Sequence, residues 1–127
     1  MEMKIFTLEE ANKLIPVLRP KLETIKSHYI KIQSYNKEAK TAANSAQFGG
    51  GGIQDGQLYA KLLFEFEQLI DELHKQGVQL KDYSTGLIDF PYMFNGKIVL
   101  LCWKLGESDK IKWWHDINAG FRGRTPL

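Results

Sequence analysis

The sequence predicts an α+β fold, a long antiparallel helical hairpin packed on a small antiparallel β-meander of three or four strands. Three observations predict it. Apolar residues recur at alternating spacings of four and three from Ala11 to Ile32, which is the period of a helix packed along a narrow seam. After Gly77 the period falls to two. Between the runs TGLIDFPYMF and KIVLLCWKL stands Asn95-Gly96, the pair that a tight hairpin turn prefers, because both central residues need positive φ. With 127 residues, 43% apolar and 25% charged, residues 1–127 fit a single domain able to bury a core without crosslinks.

The first helix is expected over 6–47. Thr7-Leu-Glu-Glu10 reads as a capping box, with Phe6 placed to staple onto Ala11. Ala11, Ile15, Leu18, Leu22, Ile25, Tyr29 and Ile32 form the seam, which continues in small and polar residues through Asn36, Ala39, Ala43 and Ala46. Pro16 and Pro20 each remove a backbone donor, so a kink is expected at Pro16–Pro20. The stretch FGGGGIQDG, 48–56, reads as a flexible glycine loop; it lacks the lysine and the preceding strand of a phosphate-binding loop. A second helix is expected over 55–76, with Leu58, Leu62, Phe66, Leu69 and Leu73 on one face and Gly77 as its C-cap. From Lys13 to Lys40 seven basic residues stand against two acidic ones, and from Leu58 to Lys75 two stand against four. Opposite biases suit two helices lying side by side.

Residues 78–117 read as the meander: VQLKD, then the two strands about Asn95-Gly96, then KIKWWHDI. Pro91 predicts an edge or a bulge in its strand. A two-residue turn sets Pro91 opposite Leu100 and Asp89 opposite Cys102, with Ile88, Phe90, Tyr92, Val99, Leu101 and Trp103 on the core face. A four-residue loop, Gly106–Asp109, would set His115 opposite Leu100; one residue more or less would put Asp116 there. The last segment, 118–127, is expected to fold back as a tail, with Phe121 as anchor and Arg124 brought to Asp89.

Asp89, Cys102 and His115 have the residue types of an orienting acid, a nucleophile and a base. The same three could equally serve as ligands of a divalent metal, with Glu107 as a fourth beside His115 and Asp89, though no cofactor is required by any motif. The competing structural reading makes Cys102 a small core residue and pairs Asp89 with Arg124 or a backbone amide. His28 and His74 read as surface residues. Arg124, Arg122, Glu107, Trp103 and Trp114 are the candidate binding residues, and Gly120 and Gly123 would let backbone amides approach a small anionic ligand. The same aromatic and basic residues raise a nucleic-acid reading, which the net charge of +2 and the lack of a binding signature argue against.

These segments resemble the small prokaryotic family known as domain of unknown function 2203. The resemblance rests on FTLEEANKLIPVLRP, GVQLKD, TGLIDFP, LCWKLGE and WWHDINAGFRGRTPL, and it covers nearly the whole chain. The family pattern matches at Asp89, Phe90, Pro91, Cys102, Trp103, Gly106, Glu107, His115, Gly120, Phe121, Gly123, Arg124 and Pro126. It implies a fold-sized unit and a set of residues, with no activity attached; some relatives carry a cell-division label.

Cys102 is the single cysteine, so no internal disulfide forms and a reducing compartment is expected. The charged opening MEMKIFTLEE predicts no secretory leader, and no apolar run nears the roughly 18 residues of a membrane span. The expectation is a cytoplasmic, non-catalytic binding or scaffold protein that forms a homo-oligomer, most simply a dimer, through its helices. A polar, anion-binding cluster would lie on the meander. The alternative is a small hydrolytic or metal-dependent enzyme using Cys102, His115, Asp89 and Glu107.

Overall fold

In this computed structural model the backbone of residues 3–45 and 56–127 is described, with side chains for 3–38 and 56–127. The glycine loop expected at 48–56 lies outside the described residues up to Gly56, as do the side chains expected to line the seam at Ala39, Ala43 and Ala46.

Helix α1 (Leu8–Ser45) starts on the capping box. Glu10 N–H donates to Thr7 Oγ1 at 3.0 Å, and Thr7 N–H donates to Glu10 Oε1 at 3.1 Å. Phe6 and Ala11 are both buried, as the staple requires, and Phe6 meets Phe90 edge to face with ring centroids 5.2 Å apart. The helix is a single element through Pro16 and Pro20. Both prolines are exposed, so the missing donors fall on the water-facing side, where solvent satisfies the freed carbonyls. The seam is buried at Ala11, Ile15, Leu18, Leu22, Ile25 and Ile32.

Helix α2 (Gly56–Lys75) ends in a Schellman motif. Gly77 N–H donates to His74 O at 3.0 Å and Val78 N–H to Leu73 O at 3.1 Å, and the buried pair Leu73–Val78 seals the turn. Gly77 holds φ +88°, which only glycine adopts freely. The complementary charge bias of the two helices appears as Lys21–Glu72 (3.5 Å), and His28 Nε2 lies 3.2 Å from Glu65 Oε2 across the same pair of helices. His28 is therefore a half-buried inter-helix contact and not the free surface residue its sequence context suggests.

Strands β1 (Gln79–Asp82), β2 (Leu87–Phe94), β3 (Lys97–Trp103), β4 (Trp113–His115) and β5 (Thr125–Pro126) form one antiparallel sheet in chain order. The fifth strand, beyond the expected three or four, is two residues of the tail, too short to leave a periodicity. Asn95 (φ +50°) and Gly96 (φ +81°) make the expected turn between β2 and β3. Their pairing runs without a bulge from Phe94↔Lys97 to Ile88↔Trp103. Pro91 lies past the end of β1, and its carbonyl accepts the Phe6 N–H at 2.8 Å. The irregularity instead sits in β1, between Leu80 and Asp82.

Alternation along β2 and β3 splits the sheet into two sides. Ile88, Phe90, Leu101 and Trp103 join the core with α1 and α2. Asp89, Leu100, Cys102 and His115 point the other way, where the tail passes. The molecule is thus layered as helices, sheet and tail.

Candidate metal centre beneath the tail

Asp89 pairs with Cys102 across β2 and β3, and His115 on β4 pairs with Leu100, one step diagonal to Cys102. The β3–β4 connection is longer than four residues, yet the register is the one a four-residue loop implies. One donor atom from each of Asp89, Cys102 and His115 lies within 4.8 Å of the other two. All three residues are buried, Cys102 fully and the other two to 2% exposure.

The tautomer of His115 follows from its neighbours. Its Nδ1 lies 2.8 Å from the Asp116 carbonyl oxygen, which can only accept, so Nδ1 carries a hydrogen. That leaves Nε2 facing Asp89 Oδ1 at 3.2 Å. A lone pair cannot face a carboxylate oxygen bare, so a proton or a metal ion lies between them. Burial pushes the Asp89 carboxyl above its ordinary range, and the His115 contact pulls it back. Burial, reinforced by the negative charge of Asp89, pushes the Cys102 thiol up to about 12, with Arg124 acting the other way. Without a metal, Cys102 is a protonated thiol that donates to Asp89 and is no nucleophile at neutral pH.

A cavity of about 140 Å³ opens against Asp89 and His115. Its walls are Leu87, Leu100, Ile117, Gly120 and Phe121, with Lys81 at one side. A second cavity, of about 340 Å³, shares Leu87 and Phe121 and is lined also by Lys104 and Arg122. Phe121 divides the two and is itself 38% exposed, a partition more than a buried anchor.

The remaining expected residues are placed elsewhere. Arg124 does not reach Asp89: its Nη2 donates to Glu107 Oε2 at 2.7 Å, and its guanidinium lies over the Trp113 and Phe121 rings at 4.8 and 4.6 Å. Glu107 also accepts the Lys104 N–H at 3.0 Å, so it is committed to the tail clamp and stands outside the three-residue cluster. The physical reason is reach: the tail returns along β4, with Leu127 N–H on Lys112 O, and this sets Arg124 above Trp113. Trp103 is buried on the helix side, its indole N–H donated to Ser108 O at 2.7 Å. Trp114 stacks on Phe94 on that same side, so neither indole faces the cavity. Arg122 is exposed on the rim of the larger cavity.

Sequence reasoning missed Lys81, Leu87, Leu100 and Ile117 as cavity walls. Alternation could have assigned the first three to this side of the sheet, but nothing local places Ile117.

No curated protein and no solved structure matches the chain. A family model described as "Uncharacterized conserved protein (DUF2203)" matches residues 4–127. The residues that carry the centre and the tail clamp all fall within that span, and the chain belongs to this family.

Proposed function

We propose that the protein binds a single divalent transition metal, of the zinc type, through Asp89, Cys102 and His115, and presents it to a small ligand in the adjoining cavity. One observation carries the reading: three side chains of metal-ligating type converge, with one donor atom from each within 4.8 Å of the others, in a buried place. A thiolate, an imidazole and a carboxylate are a ligand set suited to zinc. The Nδ1–H of His115 on the Asp116 carbonyl is the outer contact that holds a metal-ligating imidazole in place. Three protein ligands beside a cavity match the catalytic class of zinc site, which keeps a position for water or substrate. Thiolate ligation also fits the reducing environment of a cytoplasm.

The test is elemental analysis of protein purified without chelator, followed by Co²⁺ titration monitored for sulfur-to-metal charge transfer. One equivalent of metal, lost in Cys102→Ser and His115→Gln, is expected. Folded wild-type protein with no stoichiometric metal and no Co²⁺ spectrum rejects the reading. In that case the proton shared by Asp89 and His115, on the wall of the cavity, makes the pair a general acid–base site, the second reading.

We further propose that the chain self-associates through its helices, as Phe64 and Ile30 stand 61% and 57% exposed. Light scattering that returns a monomer at micromolar concentration rejects this.

A further inference from the structure

We propose that the 140 Å³ cavity is an anion subsite in which Lys81 selects a small monovalent oxyanion bound at the metal's open position. The proposal rests on the metal reading above and names the ligand class of that centre.

Charge counting gives the sign. A divalent ion with the Asp89 carboxylate and the Cys102 thiolate is neutral, and the His115 ring bound through Nε2 adds no charge. Lys81 is then the one uncompensated charge on the cavity wall, since the other lining residues, Leu87, Leu100, Ile117, Gly120 and Phe121, are apolar. A monovalent anion matches a surplus of one positive charge in a place with low-dielectric walls.

The backbone explains why Lys81 is available. In β1, Leu80 pairs with Ile88 and Asp82 with Leu87, so Lys81 is the extra residue of a bulge. Both Lys81 and Asp82 oppose Leu87, on the tail side of the sheet. Asp82 could have neutralised Lys81, but it is turned back on its own loop. Its Oδ1 accepts the Ser84 N–H at 2.8 Å and the Ser84 hydroxyl at 2.7 Å. Among the described residues no carboxylate forms an ion pair with Lys81. The bulge thus sets Lys81, an exposed residue without an ion-pair partner, on the wall that Asp89 and His115 complete, near enough for its charge to act on Asp89.

Size narrows the ligand. About 140 Å³ is room for roughly five waters at about 30 Å³ each, which admits an anion of the size of formate or dihydrogen phosphate. Without the metal, the Asp89 carboxylate would repel any anion here, so metal and anion binding are coupled, each tightening the other.

The experiment loads the full chain with Co²⁺ and titrates formate, then inorganic phosphate, while following the visible spectrum. Wild-type protein is expected to show a saturable change, and Lys81→Ala to weaken anion affinity by about tenfold, the loss of one hydrogen bond to a charged group. Lys81→Ala is still expected to bind one equivalent of Co²⁺ in anion-free buffer, with some change of affinity because the Lys81 charge acts on Asp89. Arg122→Ala, on the other cavity, serves as control and is expected to bind the anion as wild type does. Co²⁺ bound normally with no spectral response to either anion, or an anion affinity unchanged by Lys81→Ala, overturns this inference and leaves the metal reading standing. Failure to bind Co²⁺ overturns both.

Discussion

Metal affinity at the Asp89–Cys102–His115 centre is expected to climb steeply with pH. The perturbation is the pH of a metal titration, and the magnitude follows from the proton inventory. The Cys102 thiol, raised to about 12, keeps its proton across the whole physiological range. A metal must displace that proton, so apparent affinity rises tenfold for each pH unit from this group alone. A second proton lies between Asp89 and His115 Nε2 and is displaced as well wherever the metal-free protein still holds it. The slope therefore lies between one and two decades per pH unit, steeper at the acid end. At pH 7 the thiol stands five units below its pKa, an opposing term of about 7 kcal/mol at about 1.4 kcal/mol per unit. Competition against a chromophoric chelator from pH 6 to 8 gives the slope. Calorimetry in two buffers of different ionisation enthalpy counts the protons. An affinity flat with pH, or a proton count of zero, refutes the reasoning.

Three further outcomes follow from the same structure. Gly96→Ala meets nothing within 4 Å and pays only for its φ of +81°, about 1–2 kcal/mol in urea unfolding, whereas Gly86→Ala also drives a Cβ to 2.6 Å from Leu105 and is expected to cost more; equal losses would contradict this. Arg124→Ala removes the 2.7 Å Glu107 contact and two ring contacts, together about 2–4 kcal/mol of tail docking, so Leu127 N–H exchange and tryptic cleavage after Arg122 are expected to accelerate; unchanged protection would deny the clamp. Iodoacetamide at pH 8 is expected to modify native metal-free Cys102 on the order of 10³ times more slowly than an ordinary thiol, since a thiol near 12 is so rarely ionised there; labelling at the denatured rate would show an accessible thiolate instead.

The hairpin and the site's floor were legible because they depend on local chemistry. The capping box, the seam from Ala11 to Ile32 and Asn95-Gly96 each encode a geometry within a few residues. The turn then fixes Asp89 against Cys102 by counting alone. What escaped depends on distant segments meeting. The β1 bulge exposes no sequence signal, because QLKD alternates as a regular strand would. Arg124 was expected at Asp89 by charge, but where the tail lands is set by two residues of β5 pairing with β4, and this hands the guanidinium to Glu107. Trp103 and Trp114 looked like ligand contacts because aromatic residues suit both cores and binding sites; their parity along the strand decided for the core.

The site is built from parts with two different lifetimes. Its donors sit on β2, β3 and β4, and the neighbours of Asp89 and Cys102 along the chain are fully buried core residues. Separating Asp89 from Cys102 requires parting β2 from β3 at the centre of the sheet, an event near the rare end of the molecule's openings. Its roof is the tail, held by a two-residue strand, a three-residue 3-10 turn and one arginine. Such a unit opens far more often than the molecule unfolds. Entry and escape of a ligand would keep the clock of the tail, while the arrangement of Asp89, Cys102 and His115 keeps the clock of the fold.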